Sequence, residues 1–493
     1  MQLTKEQETI VNSSLKSFKI NAVAGSGKTT TLLLYAQKNP ELRILYLAYN
    51  KSLQISILDK LKEFQVPNLT TSTIHSFIYK RTRALNYNLT NELKTNVLDR
   101  LISYYEFDTN NNSYYASNEY LALLRDLVNF YCNSRLKELN LKLLENFIKQ
   151  SDFIAKTLEL LNKNEEKLLE HLKVVLKAMK TRQIDATHDF YLKMYYLSSA
   201  FNKSLDFDLI LIDEAQDISD VMIAIVEEFK TNKIYVGDNF QQIYSFRYAT
   251  NALAKIDLPS YNLTISFRFS DSYASFLQRY LNKAYSLNQS PNLKISGIDC
   301  ETNIGLSNIN STKQVCIISR TSFALISHLI KYIQEKKKIY FEGGYSSYSF
   351  MNQTVYSIFY LKNRKNEKVT VEDLKPFSTI YELETFAKET KNQEYLNIIK
   401  FINTYDDNIF EINKKAKELV VSAKEEADVI FTTTHKAKGM EYEQVIMTDD
   451  FITIKDITNP KSNLSFLKIK EELNIFYVAA TRVKSSIVLA SLE

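Results

Sequence analysis

The sequence predicts an α/β protein with two parallel-sheet domains, each interrupted once by a mainly helical insertion. Three observations carry this expectation. Short apolar runs of strand length alternate with helical segments. Each run ends where a polar or glycine-bearing block begins, and two long stretches between the runs lack a convincing strand.

In the N-terminal part the runs fall at residues 18–23, 44–48, 209–212 and 233–236. That is the layout of an open parallel sheet with ligand loops at the carboxyl ends of its strands. Within the long gap, Leu136, Leu139, Leu143, Leu144, Phe147 and Ile148 recur at three- and four-residue spacing, with Lys and Glu between them. A second series starts near Tyr261, includes residues 315–318, and resumes at 429–432, 444–447 and 487–490. The polar stretch between Gly344 and Asp428 reads as mostly helical. The expected first domain spans 1–88 and 201–262 around an insertion at 89–200. The second spans 263–345 and 428–493 around a shorter insertion at 346–427.

At 493 residues the chain is too long for one core, and 45% apolar with 24% charged residues is ordinary for a globular protein. The first residues lack the apolar core of a signal peptide and no run has membrane-spanning length, so a cytoplasmic protein is expected. Cys132, Cys300 and Cys316 fit neither a disulfide framework nor a zinc spacing, and five scattered histidines predict no protein metal cage. The net charge of +5 permits a nucleic-acid partner without requiring one. Glycine says more, because there are only eight. Gly25, Gly27, Gly237, Gly343, Gly344 and Gly439 are expected to mark positive φ or close approach. Gly297 and Gly305 read as ordinary turn residues.

The block Ala22-Val23-Ala24-Gly25-Ser26-Gly27-Lys28-Thr29 fits the phosphate-loop pattern, with alanine at its first glycine. Its glycines let backbone N–H groups turn around a β-phosphate, and the following helix adds its N-terminal dipole. Lys28 is expected on the β- and γ-phosphates of ATP, and Thr29 on Mg²⁺. Asp213 follows four apolar residues and so emerges at a strand end, where it can hold Mg²⁺ through water. Adjacent Glu214 can activate the attacking water. Gln241, in Gly237-Asp238-Asn239-Phe240-Gln241-Gln242, lies just after the next strand and can sense the γ-phosphate.

The continuation Ile243-Tyr244-Ser245-Phe246-Arg247 suits stacking on a base and contact with a phosphate. Phe246 reads equally as a core residue. Arg268 and Arg482 are candidate arginine fingers. Should they come from the second domain while Lys28 comes from the first, ATP sits in the interdomain cleft, and hydrolysis alters domain closure.

These blocks occur in order with Leu3-Thr4-Lys5-Glu6-Gln7, Tyr49-Asn50-Lys51, Thr73-Ile74-His75-Ser76-Phe77, His435-Lys436-Ala437-Lys438-Gly439-Met440-Glu441 and Tyr477-Val478-Ala479-Ala480-Thr481-Arg482. Together they resemble the motif set of superfamily 1A helicases of the UvrD/Rep type, over nearly the whole chain. The flavour is that of the F-box DNA helicase group and compact microbial relatives, on Phe267-Arg268-Phe269, Phe341-Glu342-Gly343-Gly344 and Asp449-Asp450-Phe451. With motor motifs from residue 3, no F-box is expected in this chain.

The resemblance implies two RecA-like domains with ATP and Mg²⁺ between them. It assigns Gln7 to the adenine edge, Phe267 to the base, and Glu441 to the ribose. The rest of the nucleotide site would be Ala24, Gly25, Ser26, Gly27, Lys28, Thr29, Thr30 and Gly439. Single-stranded DNA and DNA junctions would be touched by Tyr49, His75, Phe246, Arg247 and His435, with 3′→5′ movement. The chain departs from many relatives in having Thr30 where they carry arginine, Phe246 where they carry tryptophan, and a short 346–427 insertion. A second reading is a DNA-stimulated NTPase serving as sensor or motor subunit of a repair or antiphage-defence complex, without robust unwinding alone. The residues themselves leave RNA and DNA both open.

Overall fold

The computed structural model describes residues 2–82, 86–110, 116–151, 153, 155–198, 204–244, 251–348, 350, 352–390, 392–459 and 464–492. Its strands are β1 (Phe18–Ala22), β2 (Ile44–Ala48), β3 (Leu69–Thr73), β4 (Leu89–Thr90), β5 (Ala186–Thr187), β6 (Leu209–Ile212), β7 (Asn232–Gly237) and β8 (Ser260–Leu263). They continue as β9 (Ile265–Ser270), β10 (Ser296–Ile298), β11 (Asn303–Ile304), β12 (Val315–Ser319), β13 (Ile339–Phe341), β14 (Val429–Thr433), β15 (Tyr442–Met447) and β16 (Val483–Leu489).

Two six-stranded sheets dominate, in the orders β3-β2-β6-β7-β1-β8 and β11-β16-β15-β12-β14-β13. Every pairing in them is parallel. Both are all-parallel sheets as the run pattern predicts, consistent with the two RecA-like domains that the resemblance implies. Strands β2, β6, β12 and β14 are buried along their whole length, which is why they read as unbroken apolar runs. In the first sheet, β6, β7 and β1 are neighbours. Their carboxyl ends therefore bring Asp213, Asp238 and the loop after Ala22 to one edge.

Residues 89–200 carry the helices Thr95–Asn110, Asn118–Asn133, Leu141–Gln150, Ala155–Lys163, Glu165–Lys180 and His188–Leu197. Residues 346–427 carry Gln353–Lys362, Ile380–Glu389, Gln393–Tyr405 and Asn408–Leu419. In the second stretch, Leu374, Leu383, Ile398 and Ile402 share one apolar cluster with Val315, Ile317 and Phe431 of the second sheet. That packing anchors these helices on the sheet through a common core.

Four details differ from the sequence reading. Tyr261 lies on β8, which pairs with β1, so it closes the first sheet rather than opening the second series. The polar strand β3 escaped notice because its Leu-Thr-Thr-Ser-Thr sequence offers no apolar run. The first helical stretch is bracketed by a short parallel pair, β4 with β5, where no strand was expected. Finally, Gly297 is more than a turn residue: a Cβ there would collide with the backbone of Ser270, so β10 can lie against β9 only with glycine.

Candidate active site and nucleic-acid channel

The loop between β1 and the helix Lys28–Lys38 turns on Gly25 (φ 73°) and Gly27 (φ 74°), values that side chains rarely adopt. Gly27 caps the helix without a side-chain hydrogen bond, so its first-turn N–H groups face a ligand position. A Cβ at Gly25 would press within 2.7 Å of Ser266 Oγ, and the Phe267 N–H donates to the Gly25 carbonyl at 2.9 Å. The loop is thereby buttressed by β9. Gln7 closes the other side. It belongs to a capping box with Thr4, and its Nε2 donates to Thr31 Oγ1 at 3.1 Å. Phe267, 38% exposed, flanks the position that a Cβ of Gly27 would fill. Thr30 is half-buried in the first helical turn.

Lys28 Nζ lies 3.2 Å from Glu214 Oε1. Burial alone would lower the lysine's pKa, but Glu214, Asp213 and Asp238 raise it. Burial pushes Glu214 up, and Lys28 and Lys438, with hydrogen bonds from Gln216 and Lys28, outweigh it and hold the carboxyl at about 2. Its neighbour behaves oppositely. Asp213 is 1% exposed, and burial together with the Glu214 charge raises its pKa. The Tyr46 hydroxyl donates to Asp213 Oδ2, and Thr29 Oγ1 lies 3.5 Å from the same oxygen. A hydroxyl and a carboxylate so placed, facing the phosphate loop, are the hard oxygen donors that suit Mg²⁺.

Glu214 sits at φ 51°, unusual for a residue with a side chain, and Gln216 Nε2 bonds its Oε2 at 2.5 Å. The other amide atom, Gln216 Oε1, accepts the Asp238 N–H at 3.0 Å. Gly237 must be glycine because a Cβ would strike that amide. Gln241 Nε2 then donates to Asp238 Oδ2 at 2.9 Å.

The second half of the chain reaches the same cleft. Arg268 bonds Glu441 at 3.2 Å and the Thr481 carbonyl at 2.5 Å. Arg482 is 2% exposed and donates to the Val478 and Met440 carbonyls and to Thr481 Oγ1. Burial and nearby Arg268 lower its pKa to about 9, against Tyr477, Glu214 and Asp238. Here the expected finger is engaged with protein oxygens at the end of its own helix, Phe466–Ala480. Glu441 pairs with Lys484 as well as Arg268. Gly439 has φ 85° in open space. Lys438 pairs with buried Asp217 and donates to the Gln241 carbonyl.

With this geometry in view, comparison with known proteins decides the family. Residues 3–256 match the UvrD/REP helicase N-terminal domain. The chain belongs to the UvrD/REP helicase family. It is 26% identical over 530 residues to F-box DNA helicase 1 of Gallus gallus, an alignment covering 100% of this chain and 49% of that protein. It is 28% identical over 528 residues to F-box DNA helicase protein 1 of Schizosaccharomyces pombe, covering 99% and 57%. The chain thus spans about half the length of the curated relatives it matches. Membership implies ATP binding.

The residues expected on nucleic acid fall into two clusters in this UvrD/REP-type chain. Tyr49 stacks on Tyr244 (centroids 5.6 Å, 22° between planes), and the Tyr244 hydroxyl donates to the His435 carbonyl. His435 Nε2 contacts the Ile243 carbonyl at 3.2 Å. His75 lies elsewhere, paired with Asp189 at 3.2 Å and packed edge-on against Tyr191. Phe246 and Arg247 lie outside the described residues. Tyr244, read in the sequence only as part of the stretch around Phe246, is the aromatic that lies beside Tyr49 and His435.

Beside Gln242 opens a cavity of about 1690 Å³, lined by loops and helices of both sheet domains and by both helical stretches. Among the described residues, seven basic side chains line it against four acidic ones, an excess of three cations. Lys149, Lys255, Lys388, Lys400, Lys468 and Lys470 are among them, with Phe323, Phe401 and Tyr405 interleaved. A basic groove with ring faces is the surface that single-stranded nucleic acid requires. Sequence reasoning missed these residues, because nothing distinguishes them among 62 basic residues. Among the described residues, no helix is long and apolar enough to cross a membrane.

Proposed function

We propose that this chain is an ATP-dependent DNA motor that moves 3′→5′ on single-stranded DNA and couples hydrolysis to closure of its two sheet domains. The observation that carries this reading is one cleft in which the Lys28–Glu214 pair and Gln241 meet Arg268, Glu441 and Tyr477, with the basic cavity next to it. The two relatives reported above are DNA helicases by name, which favours DNA over RNA.

In this mechanism Lys28 and the loop N–H groups bind the ATP phosphates, and Gln7 and Phe267 orient the base. Thr29 and Asp213 would hold Mg²⁺, which neutralises phosphate charge when bound. Glu214 takes the proton of the attacking water. Lys28 is the cation that does most to lower the Glu214 pKa, so a phosphate that draws the lysine away raises the carboxylate's proton affinity at the moment a base is needed. Gln241 orients the water, and Arg268 and Arg482 compensate charge on the transferring phosphoryl group. Tyr49, Tyr244 and the basic cavity hold the strand.

The test is ATP turnover with and without single-stranded DNA. Strong stimulation by DNA is expected, and turnover indifferent to DNA overturns the reading. A DNA-stimulated NTPase that works as one subunit of a larger repair or signalling complex is the second reading. It is favoured by the shortness of the second helical stretch, residues 346–427.

A further inference from the structure

One hydroxyl links its own sequence block to two others. Tyr477, on the helix that leads into β16, is fully buried, and its Oη lies 3.0 Å from the Ala24 N and 3.0 Å from Asp238 Oδ2. The roles of these bonds are fixed by elimination. An amide N–H can only donate, so the phenol accepts from Ala24 and sends its own proton to Asp238. Asp238 Oδ2 also receives Gln241 Nε2 at 2.9 Å, and Oδ1 receives the Phe240 N–H at 3.0 Å. The Gln241 amide is therefore pinned with its nitrogen toward Asp238, which turns its carbonyl oxygen the other way, as an acceptor.

Each partner is buried: Ala24 is 1% exposed, Asp238 0% and Gln241 4%. Among the described residues nothing else bonds to the Ala24 N–H, and a buried polar network of this kind holds its geometry only while all members are present. Val23 and Ala24 also share an apolar cluster with Tyr477, Phe476 and Ile430, so the ring position is set by the packing of the second domain against the phosphate loop.

We propose that Tyr477 is a positioning residue through which the second sheet domain sets the orientation of Gln241 for the chemical step. It acts through Asp238 and contacts no substrate. The inference rests on the ATPase reading above. When the second domain packs against the phosphate loop as it does here, the hydroxyl joins the donors on Asp238 and the Gln241 amide is locked. When they separate, the phenol leaves with its helix, and Asp238 loses a donor. Hydrolysis is thereby confined to the closed arrangement.

The test is a double-mutant cycle on DNA-stimulated ATP turnover with Tyr477→Phe and Gln241→Ala in the full chain, with binding of a fluorescent non-hydrolysable ATP analogue measured alongside. Tyr477→Phe keeps the ring and should lower kcat by about tenfold or more, with analogue affinity nearly unchanged. Combined with Gln241→Ala it should add little further loss. Asp238→Asn, which keeps the side-chain shape, should give the same non-additive loss, and it serves as the variant should Tyr477→Phe fail to fold. Losses that multiply, or a Tyr477→Phe enzyme with wild-type kcat, overturn the proposal while leaving the ATPase reading intact. A wild-type chain that hydrolyses no ATP on DNA overturns both.

Discussion

Lys28 and Glu214 face each other across the phosphate loop as an ion pair of 3.2 Å, with side-chain exposures of only 11% and 19%. The contact joins the residue proposed to hold ATP's phosphates to the residue proposed to deprotonate water. Each group controls the other's charge. Without the lysine, burial would push the Glu214 carboxyl upward, and without the carboxylates, burial would push Lys28 down.

Lys28→Ala should therefore lower ATP turnover by about 100-fold or more, since it removes the cation on the transferring phosphates. Single-strand affinity should stay close to wild type, because the aromatic cluster and the basic cavity are built from other residues. The change also strands a buried carboxylate, so thermal melting must be followed in parallel. Near-normal turnover would refute the assignment of the site.

Glu214→Gln keeps the shape of the side chain and removes the base. It should bind ATP at least as well as wild type and fail to turn it over, trapping the closed complex on DNA. Equilibrium binding of radiolabelled ATP with single-turnover kinetics separates the two steps. Loss of nucleotide binding would mean that Glu214, at its left-handed φ, mainly supports the loop.

Tyr244→Ala should weaken single-strand affinity by about 1–3 kcal/mol, the usual worth of one base stacked on an aromatic ring. Tyr49→Ala should act similarly, and the double variant should lose less than the sum, because the two rings stack on each other. Fluorescence anisotropy with a short labelled strand reads this directly. Unchanged affinity with a lowered melting temperature would make the pair a packing element only.

The phosphate-loop half of the candidate site was legible because its pattern is local: the blocks at Gly25, Asp213 and Gln241 each follow a strand and carry their own residue types. Asp213 could be placed from the four apolar residues before it, and Gly25 and Gly27 from the turn they must make. The nucleic-acid half was not. Lys149, Lys255, Lys400 and Lys470 come from four separate segments and converge only through the packing of the helical stretches and sheets, which no short window encodes. Tyr477 and Lys438 stood within recognised blocks, but their partners, Asp238 and Asp217, lie more than 200 positions away. The polar strand β3 was missed for a simpler reason: its place in the sheet is dictated by pairing with β2, not by its own hydrophobicity.

His435 makes acid a weakness. Burial, then nearby Arg320, lower its pKa from 6.5 to about 4, against the Ile243 carbonyl, Glu471 and Glu472. The unfolded chain therefore takes up this proton first as pH falls. Stability contributed by the neutral ring is present above pH 6.5 and is lost as pH drops toward about 4. Thermal unfolding followed over that window should show a loss of the order of a few kcal/mol from this group. His435→Gln, which cannot titrate, should flatten the profile; parallel slopes for the two proteins would place the acid sensitivity elsewhere.

Strand displacement decides between a self-sufficient motor and a subunit. The chain carries the phosphate-loop site, an aromatic pair and a basic channel closed by helical stretches from both halves. Given ATP and Mg²⁺, it should unwind a duplex bearing a 3′ single-stranded tail and leave the 5′-tailed duplex intact. Lys28→Ala serves as the blank. Unwinding from the 5′ tail would overturn the proposed direction. Vigorous DNA-stimulated ATP turnover with neither duplex opened would favour the subunit reading, because tracking along one strand needs only the cleft and the channel, whereas separating two also needs a surface that holds the strands apart.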